Sequence, residues 1–377
     1  MNGSKLPTFE QCMIEVLEKR VNRRESECGN YCLFNYCEQV EYKNLWNDVN
    51  VWCRGIVYDL NTKKLVAVPF RKFWNLNQRP ELNESVLRTK GEPTVYSKED
   101  GSLGILFYNE YTKQLQVTTR GSFDSDQAKW ATNWINSQSD DVKYHFENVL
   151  GTYLFEIVYP ENQIVINYQG FSGLIYIQTT HFDDESYEFF HYTDYQNLMN
   201  QLGIRCVKSF PLNLSTAQST LDNLSYNEEG YVLYYSDGTL VKLKGKEYLR
   251  VHRLRSNMTW SNVTQNALDF QFNFDQVANG LPDEFIPELR SMYNEFVDYH
   301  NQETQKFVHY MNLLSISSGS TKKDKALWIQ ANIPKLFHSA AYLYSNNQII
   351  RAYEKNDKII RDQFLGLKKN NEFKDNI

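Results

Sequence analysis

Between about residues 50 and 250 the chain is a series of short runs rich in Val, Ile, Tyr, Phe and Thr, each closed by turn residues. That texture predicts strands at 54–59, 65–70, 93–97, 104–109, 114–119, 152–158, 163–168, 173–179, 187–191, 230–235 and 239–244. One helix is expected among them, over 124–149, where Ala128, Trp130, Ala131, Trp134 and Ile135 recur at helical spacing. After about residue 260 the period changes. Phe285, Leu289, Met292, Phe296 and Tyr299 follow the rhythm of an amphipathic helix that continues through Phe307, Tyr310 and Leu314. Ser317-Ser318-Gly319-Ser320 interrupts it, and helical pattern resumes at about 324–332, 335–345 and 348–365. The chain therefore reads as an α+β domain over 1–255 followed by an all-helical domain over 256–377.

No apolar run approaches a membrane span, and the N-terminal Met-Asn-Gly-Ser-Lys-Leu-Pro-Thr lacks a signal-peptide core. Six cysteines in such a chain read as reduced thiols. Cys28, Cys32 and Cys37 cluster without zinc spacing. The expectation is a cytoplasmic protein. A net charge of −6 argues against coating nucleic acid nonspecifically. It leaves room for a local basic site, because affinity follows the patch rather than the total. Two such patches stand out: Lys242, Lys244 and Lys246 followed by Arg250, Arg253 and Arg255, and Lys322, Lys323 and Lys325 beside a Ser/Gly-rich loop.

Lys98-Glu99-Asp100-Gly101-Ser102 lies between two predicted strands. Taken alone, Lys-x-Asp-Gly is the composition of a polar hairpin turn. A lysine at a strand end, partly out of water and crowded by cations, can also lose its proton and act as a nucleophile. The rest of the body supplies partners for that chemistry. Glu156 is a single acid inside the apolar run Phe155-Glu156-Ile157-Val158, where it needs a cation, a metal or a hydroxyl pair. Residues 228–244 read as a hairpin with Ser236-Asp237-Gly238 at its turn. Lys242 and Lys244 then share a face, with Cβ atoms about 7 Å apart, and an anion between them would relieve their repulsion. Arg54-Gly55 and Arg120-Gly121 place cations beside glycines at strand ends, and Lys72 sits in an aromatic run. No P-loop, His-Glu-x-x-His or Gly-x-Ser-x-Gly pattern occurs.

The order Lys-x-Asp-Gly, Arg-Gly, Phe-Glu, Glu-Gly-Tyr-Val, Lys-x-Lys resembles the nucleotidyltransferase motifs of ATP-dependent ligases and capping enzymes. Cys-Arg-Gly-Ile at 53–56, Lys-Phe-Trp-Asn at 72–75, Lys-Glu-Asp-Gly-Ser-Leu at 98–103 and Glu-Gly-Tyr-Val at 229–232 resemble, more narrowly, the phage-type RNA ligase 1 family. The resemblance spans roughly residues 50 to 255. It implies a nucleotidyltransferase domain of ATP-grasp-like antiparallel sheets, followed by a helical domain that selects RNA.

By the same resemblance Lys98 is the nucleophile that takes AMP from ATP. Arg54, Lys72, Lys242 and Lys244 contact the phosphates, and Glu99 and Arg120 belong to the nucleotide site, Arg120 standing where the family pattern has lysine. Tyr176 is a candidate for stacking on adenine. Glu156 and Glu229 hold magnesium, or manganese, largely through water. The implied activity joins an RNA 5′-phosphate to a 3′-hydroxyl by way of lysyl-AMP and an adenylylated RNA end, in repair of RNA such as a broken tRNA loop. The implied protein is a monomer, in the cytoplasm of a phage-infected host if phage-encoded. The alternatives are a DNA ligase, a capping-type nucleotidyltransferase, and a noncatalytic RNA-end-binding protein.

Overall fold

Thr8 starts the first helix with a capping box: its side chain accepts from the Gln11 backbone, and its own N–H donates to Gln11 Oε1 at 2.8 Å. The helix this starts, Phe9–Leu17, buries Phe9 and Cys12 among Phe34, Trp52, Cys53, Ile56 and Tyr58. It thereby props the segment that leads to Arg54. The computed structural model describes residues 5–148, 151–182, 187–189, 192–279, 281, 285–319 and 321–374. The chain divides into two units, Met1–Arg250 and Val251–Ile377. The domain boundary expected at 255 falls inside the helix Lys246–Ser256.

Among the described residues the first unit holds three sheets. Strands β1 (Val21–Glu25), β2 (Tyr31–Tyr36), β3 (Arg54–Asp59) and β4 (Leu65–Ala67) form one, in that order. In chain order there follow β5 (Trp74–Asn75), β6 (Thr94–Ser97), β7 (Ser102–Asn109), β8 (Gln114–Thr118) and β9 (Thr152–Val158). The remaining strands are β10 (Gly173–Phe182), β11 (Tyr187–Phe189), β12 (Ser209–Phe210), β13 (Gly230–Tyr234) and β14 (Leu240–Lys244). The second sheet runs β11-β10-β9-β7-β8 and the third β12-β6-β13-β14-β5.

Period-2 alternation decides what each face carries. On β9, Tyr153, Phe155 and Ile157 pack with Ala131, Ile135, Val142 and Phe146 from the helices Asp126–Asn136 and Asp140–Asn148. Leu154 packs the other way, against Ile105, Phe107 and Phe70, so Glu156 shares that second face. In the third sheet Tyr231, Leu233, Val241 and Leu243 bury themselves with Leu82, Leu87 and Leu214. Val232, Lys242 and Lys244 lie on the opposite face. Their neighbours on it, Leu240 and Tyr234, pack into the cluster that contains Leu154. The lysine face and the Glu156 face are therefore turned toward one another.

Several expected elements take another form. The run 163–168 is no strand: the backbone N–H groups of Val165 and Ile166 donate to the Asp100 carboxylate instead of a ladder. The strand expected over 65–70 stops at Ala67, and Val68 bonds through its backbone to the hydroxyls of Thr152 and Thr180. The helix expected over 124–149 is two, separated at Ser137–Ser139, with residue 149 outside the described residues. Of the strand expected at 187–191, Tyr187–Phe189 is a strand and the last two positions lie outside the described residues. Strand β1 did not announce itself, because Asn22, Arg23, Arg24 and Glu25 follow its single apolar residue; β2, with Tyr31–Phe34 buried in succession, was legible and was passed over.

The second unit is helical: Trp260–Asp269, Phe274–Val277, Ile286–Ser317, Lys322–Asn332, His338–Ser345 and Ile349–Lys374. In the long helix Leu289, Tyr293, Phe296, His300, Phe307, Met311 and Leu314 are buried. The stripe sits one residue from the expected one at Met292 and Tyr299, because a tyrosine and a histidine hydrogen-bonded to Asp357 at 2.9 Å occupy core positions. Among the described residues no helix is long and apolar enough to cross a membrane.

Candidate active site

The loop after β6 is fixed from both ends. Lys98 continues the ladder, its N–H donating to the Gly230 carbonyl at 2.9 Å. Two residues on, Asp100 is buried and fully engaged. Its Oδ2 accepts from the N–H groups of Val165 at 2.8 Å and Ile166 at 3.0 Å, and its Oδ1 accepts the Tyr248 hydroxyl at 2.8 Å. Three donors on one carboxylate offset its desolvation. Gly101 then passes so close to β9 that a Cβ would stand 2.4 Å from the Ile157 carbonyl and 3.1 Å from Glu156 Cγ. The Asp-Gly pair thus sets where the lysine emerges.

Lys98 Nζ lies 2.8 Å from Glu229 Oε2, and Lys244 Nζ lies 2.8 Å from Glu229 Oε1. Glu229 is only 2% exposed, so its charge depends on these two ammonium groups. Burial works against the charge of Lys98, but Glu229 and Glu156 outweigh it and raise its pKa. The neutral amine expected from crowding by Lys242 and Lys244 is thus reversed: carboxylates surround the nucleophile, and one of them engages Lys244. The depressed lysine is its neighbour. Burial, with Arg54, Lys98 and Lys72 nearby, pushes Lys242 well below the ordinary range. Glu156 is half-buried and makes no ion pair or hydrogen bond with a described residue. Burial pushes its carboxyl up to about 8, Lys98 opposing and Glu229 and Asp100 adding to the rise.

A second group of cations adjoins the first. Parallel pairing of β5 with β14 sets Trp74 against Val241 and Asn75 against Lys242. Lys242 Nζ consequently stands 4.3 Å from the Phe73 ring centre, and the Arg54 guanidinium 5.7 Å from it. Gly55 has φ +98° and no room for a Cβ, which would meet Ile105 Cδ1 at 2.5 Å and Arg120 Cα at 3.1 Å. That contact brings Arg54 beside Arg120, whose Nη1 donates to the Tyr36 hydroxyl at 3.0 Å. Lys72 lies over the Tyr36 and Trp46 rings, at 5.4 and 5.0 Å, and pairs with Glu41. Buried Arg54 Nη1 has no hydrogen-bond partner. Of these four cations only Lys72 pairs with a carboxylate among the described residues, an arrangement that an extended polyanion would complete.

Two expected residues sit elsewhere. Tyr176 is fully buried, stacked on Tyr195 with its hydroxyl 2.8 Å from Thr179 Oγ1. A bulge in β10 turns it into the core and leaves Ile177 half-buried, packed against the cluster that holds Leu154. Tyr176 therefore offers no ring face for stacking. Glu99 is tied sideways, accepting from Ser97 Oγ at 2.7 Å and from the Tyr168 hydroxyl at 3.1 Å. Sequence reasoning passed over Asp100, Tyr168 and Tyr248 as partners of the loop, and Tyr36, Trp46 and Phe73 as the aromatic floor beneath the cations. Phe73 and Trp74 were legible as an aromatic run beside Lys72. Nothing in the sequence linked Tyr36 or Tyr168 to residues so distant from them.

The profile of a family described as RNA ligase matches residues 52–270, more than half of the chain. A putative bifunctional polynucleotide kinase/RNA ligase of Autographa californica nuclear polyhedrosis virus is 26% identical over 282 residues, 68% of this chain and 38% of that protein. A putative RNA ligase of Thermovibrio ammonificans is 24% identical over 208 residues, 53% of this chain and 52% of that one. The chain thus spans about two fifths and one half of the lengths of these relatives. The solved structure of an archaeal ATP-dependent RNA ligase, form 1, aligns with a TM-score of 0.49 at 13% identity, covering 86% of each chain.

Proposed function

Because the chain belongs to this RNA ligase family, we propose that it is an ATP-dependent ligase that joins an RNA 5′-phosphate to a 3′-hydroxyl through an AMP adduct on Lys98. The observation that carries this reading is the buried Glu229 carboxylate shared between Lys98 and Lys244 at 2.8 Å on each side. It ties the nucleophile to Lys244, the neighbour of Lys242 on the same face of the hairpin.

Three in-line displacements at phosphorus follow. In the first, Lys98 Nζ gives up a proton and bonds to the α-phosphorus of ATP, and pyrophosphate leaves. In the second, a 5′-phosphate oxygen of RNA displaces Lys98, forming a pyrophosphate bond to AMP. In the third, a 3′-hydroxyl loses its proton, attacks that 5′-phosphorus and releases AMP. The protein's part is alignment and charge neutralisation. Arg54, Lys72, Arg120 and Lys242 receive the β- and γ-phosphates. Glu229 keeps the Lys98 amine in place, and releasing it to Lys244 alone would free the amine to lose its proton. Val232, opposite Lys242 on the lysine face, and Ile177 offer apolar walls for the base.

Glu156 suits a divalent cation: a hard oxygen ligand, half-buried, held near 8 chiefly by burial, which the Lys98 ammonium offsets only in part. Magnesium or manganese bound there, with Glu229 reached through water, would neutralise phosphate charge in each displacement. The helical unit is read as the part that selects RNA, such as a broken tRNA loop, in an intracellular repair reaction.

Incubation with α-labelled ATP, then with single-stranded 5′-phosphorylated RNA or nicked DNA, tests the reading. Label on Lys98 and joining of RNA ends are expected. Label from GTP alone, or joining of nicked duplex DNA alone, would overturn it.

A further inference from the structure

In the second displacement Lys98 is the leaving group. The attacking 5′-phosphate oxygen must therefore stand opposite the amine, on the side that pyrophosphate has vacated. That side carries Arg54, Lys72, Arg120 and Lys242, and the polynucleotide must run outward from them. A row of rings leads away from these cations. Tyr36 lies under Arg120 at 5.2 Å and Lys72 at 5.4 Å, and it meets Trp46 edge to face at 4.8 Å. Trp46 meets Trp74 at 5.6 Å, and the Arg79 guanidinium lies 4.3 Å from the Trp74 ring centre. Trp74 belongs to β5, the edge strand of the third sheet, so the row turns around an open edge.

Tyr36, Trp46, Trp74 and Arg79 are all half-buried. Trp46 joins no buried apolar cluster among the described residues, yet its loop is firmly held. Glu15, a buried carboxylate that the adenylylation chemistry does not use, accepts from Arg20 Nε at 2.6 Å, Asn47 Nδ2 at 2.9 Å and Asn50 Nδ2 at 3.2 Å. Asn50 also donates to the Leu45 carbonyl at 2.9 Å and accepts from the Asn47 N–H at 3.0 Å. Both neighbours of Trp46 are thus fixed, and the indole is displayed by a rigid loop. The charge balance along the row stays positive. Glu41 pairs with Lys72 and Glu81 with Arg79, whereas Arg54, Arg120 and Lys242 form no ion pair with an acid among the described residues.

We infer that this row carries the first nucleotides of the strand whose 5′ end is being activated. Its terminal phosphate meets Arg120 and Lys72 once pyrophosphate has left, a base stacks on Trp46, and Arg79 reaches a following phosphate. The inference rests on the ligase reading for the reaction and adds a path for the strand. Rings interleaved with cations suit a single strand of any sequence, because every base has a face to stack. The adenine of ATP does not need the row, having its own walls in Val232 and Ile177.

The test removes a base from the strand and a ring from the protein. Fluorescent 5′-phosphorylated RNAs, intact or abasic at the first two positions, are titrated with the full chain by anisotropy without ATP. Wild type, Trp46→Ala, Trp46→Tyr and Arg79→Gln are compared, and Lys98-AMP formation is measured separately with ATP alone. Removing the bases should weaken binding to wild type at least about fivefold, the low end for one base stacked on a ring. Trp46→Ala should bind the intact strand as weakly and lose little more on base removal, and Trp46→Tyr should recover part of the affinity. For Arg79→Gln the slope of log K against log salt should become shallower by about 0.7. In each variant adduct formation should fall less than RNA binding does. Equal affinity of wild type for intact and abasic strands would overturn the inference, an arm that needs no variant to fold. So would a Trp46→Ala chain as sensitive to base removal as wild type, an unchanged salt slope for Arg79→Gln, or an equal fall in adduct formation. A wild-type chain that forms the adduct but ignores the bases loses the strand path and keeps the ligase reading; one that binds through the bases but forms no adduct does the reverse.

Discussion

The Lys98 amine is 2.8 Å from a carboxylate, that of Glu229, and it waits in the resting protein as an ammonium. Glu229→Gln should therefore free Lys98 to deprotonate at lower pH while removing its anchor. Competitive labelling with an amine-directed reagent across a pH series should show the reactive limb of Lys98 moving down in the variant. Adduct formation with ATP should nevertheless fall at least about a hundredfold, because position outweighs acidity in a step that depends on alignment. An unmoved limb would mean that Glu229 does not govern the amine.

Glu156 titrates in the opposite sense to a salt-bridged acid. Its carboxyl is raised from 4.5 to about 8 in the folded chain, first by burial. Between those values the folded protein holds a proton that the unfolded chain has lost. The stabilisation is fully present below about 4.5 and is lost as pH rises through about 8. Glu156→Gln keeps the neutral form at every pH, so its melting temperature should decline less than that of wild type between pH 5 and 8. Parallel declines, followed by scanning calorimetry, would show that another group carries the effect.

Gly230 has φ +134°, and a Cβ there would stand 2.1 Å from the Leu243 carbonyl. Gly230→Ala must push β13 from β14 at the residue next to Glu229, and overpacking against backbone costs about 1–3 kcal/mol. A lower melting temperature together with loss of adduct formation is expected. Gly238→Ala, at the tip of the same hairpin with open space around it, should lower stability modestly through its positive φ and leave the adduct intact.

How much of this was readable in advance follows from where the information lies. The hairpin with Val232 opposite Lys242 was legible because alternation and a Ser-Asp-Gly turn are local signals. Lys98 and Glu156 were legible as exceptions, charges set at a strand end or inside an apolar run, whereas Glu229 was legible only through the family resemblance. What escaped was pairing across distance. The sharing of Glu229 by Lys98 and Lys244 depends on the register of β6, β13 and β14, and that register reversed the expected acidity of the nucleophile. Tyr176 was misplaced for a related reason: one bulge, invisible in the residue pattern, exchanged its direction with that of Ile177. The run 163–168 looked like a strand because its apolar content is the same whether its N–H groups meet a neighbour or the buried Asp100.

Separating the chemical steps gives the sharpest test of the division between cations. Lys98→Ala should abolish the AMP adduct and the joining of 5′-phosphorylated RNA, yet retain a measurable share of joining when RNA is supplied already adenylylated, since that step needs no amine. Lys242 makes no ion pair with a carboxylate among the described residues and lies over Phe73 near Arg54 and Lys72, so it serves the triphosphate more than the amine. Lys242→Ala should slow adduct formation by about tenfold to a hundredfold, the range for losing one charge-neutralising donor, and slow joining of adenylylated RNA much less. Lys244 pairs directly with Glu229, so Lys244→Ala should weaken both steps. Single-turnover rates for each step, with each variant, distinguish these outcomes. Equal losses in the Lys242 and Lys244 variants at both steps would erase the distinction between a phosphate lysine and a carboxylate-tethered one.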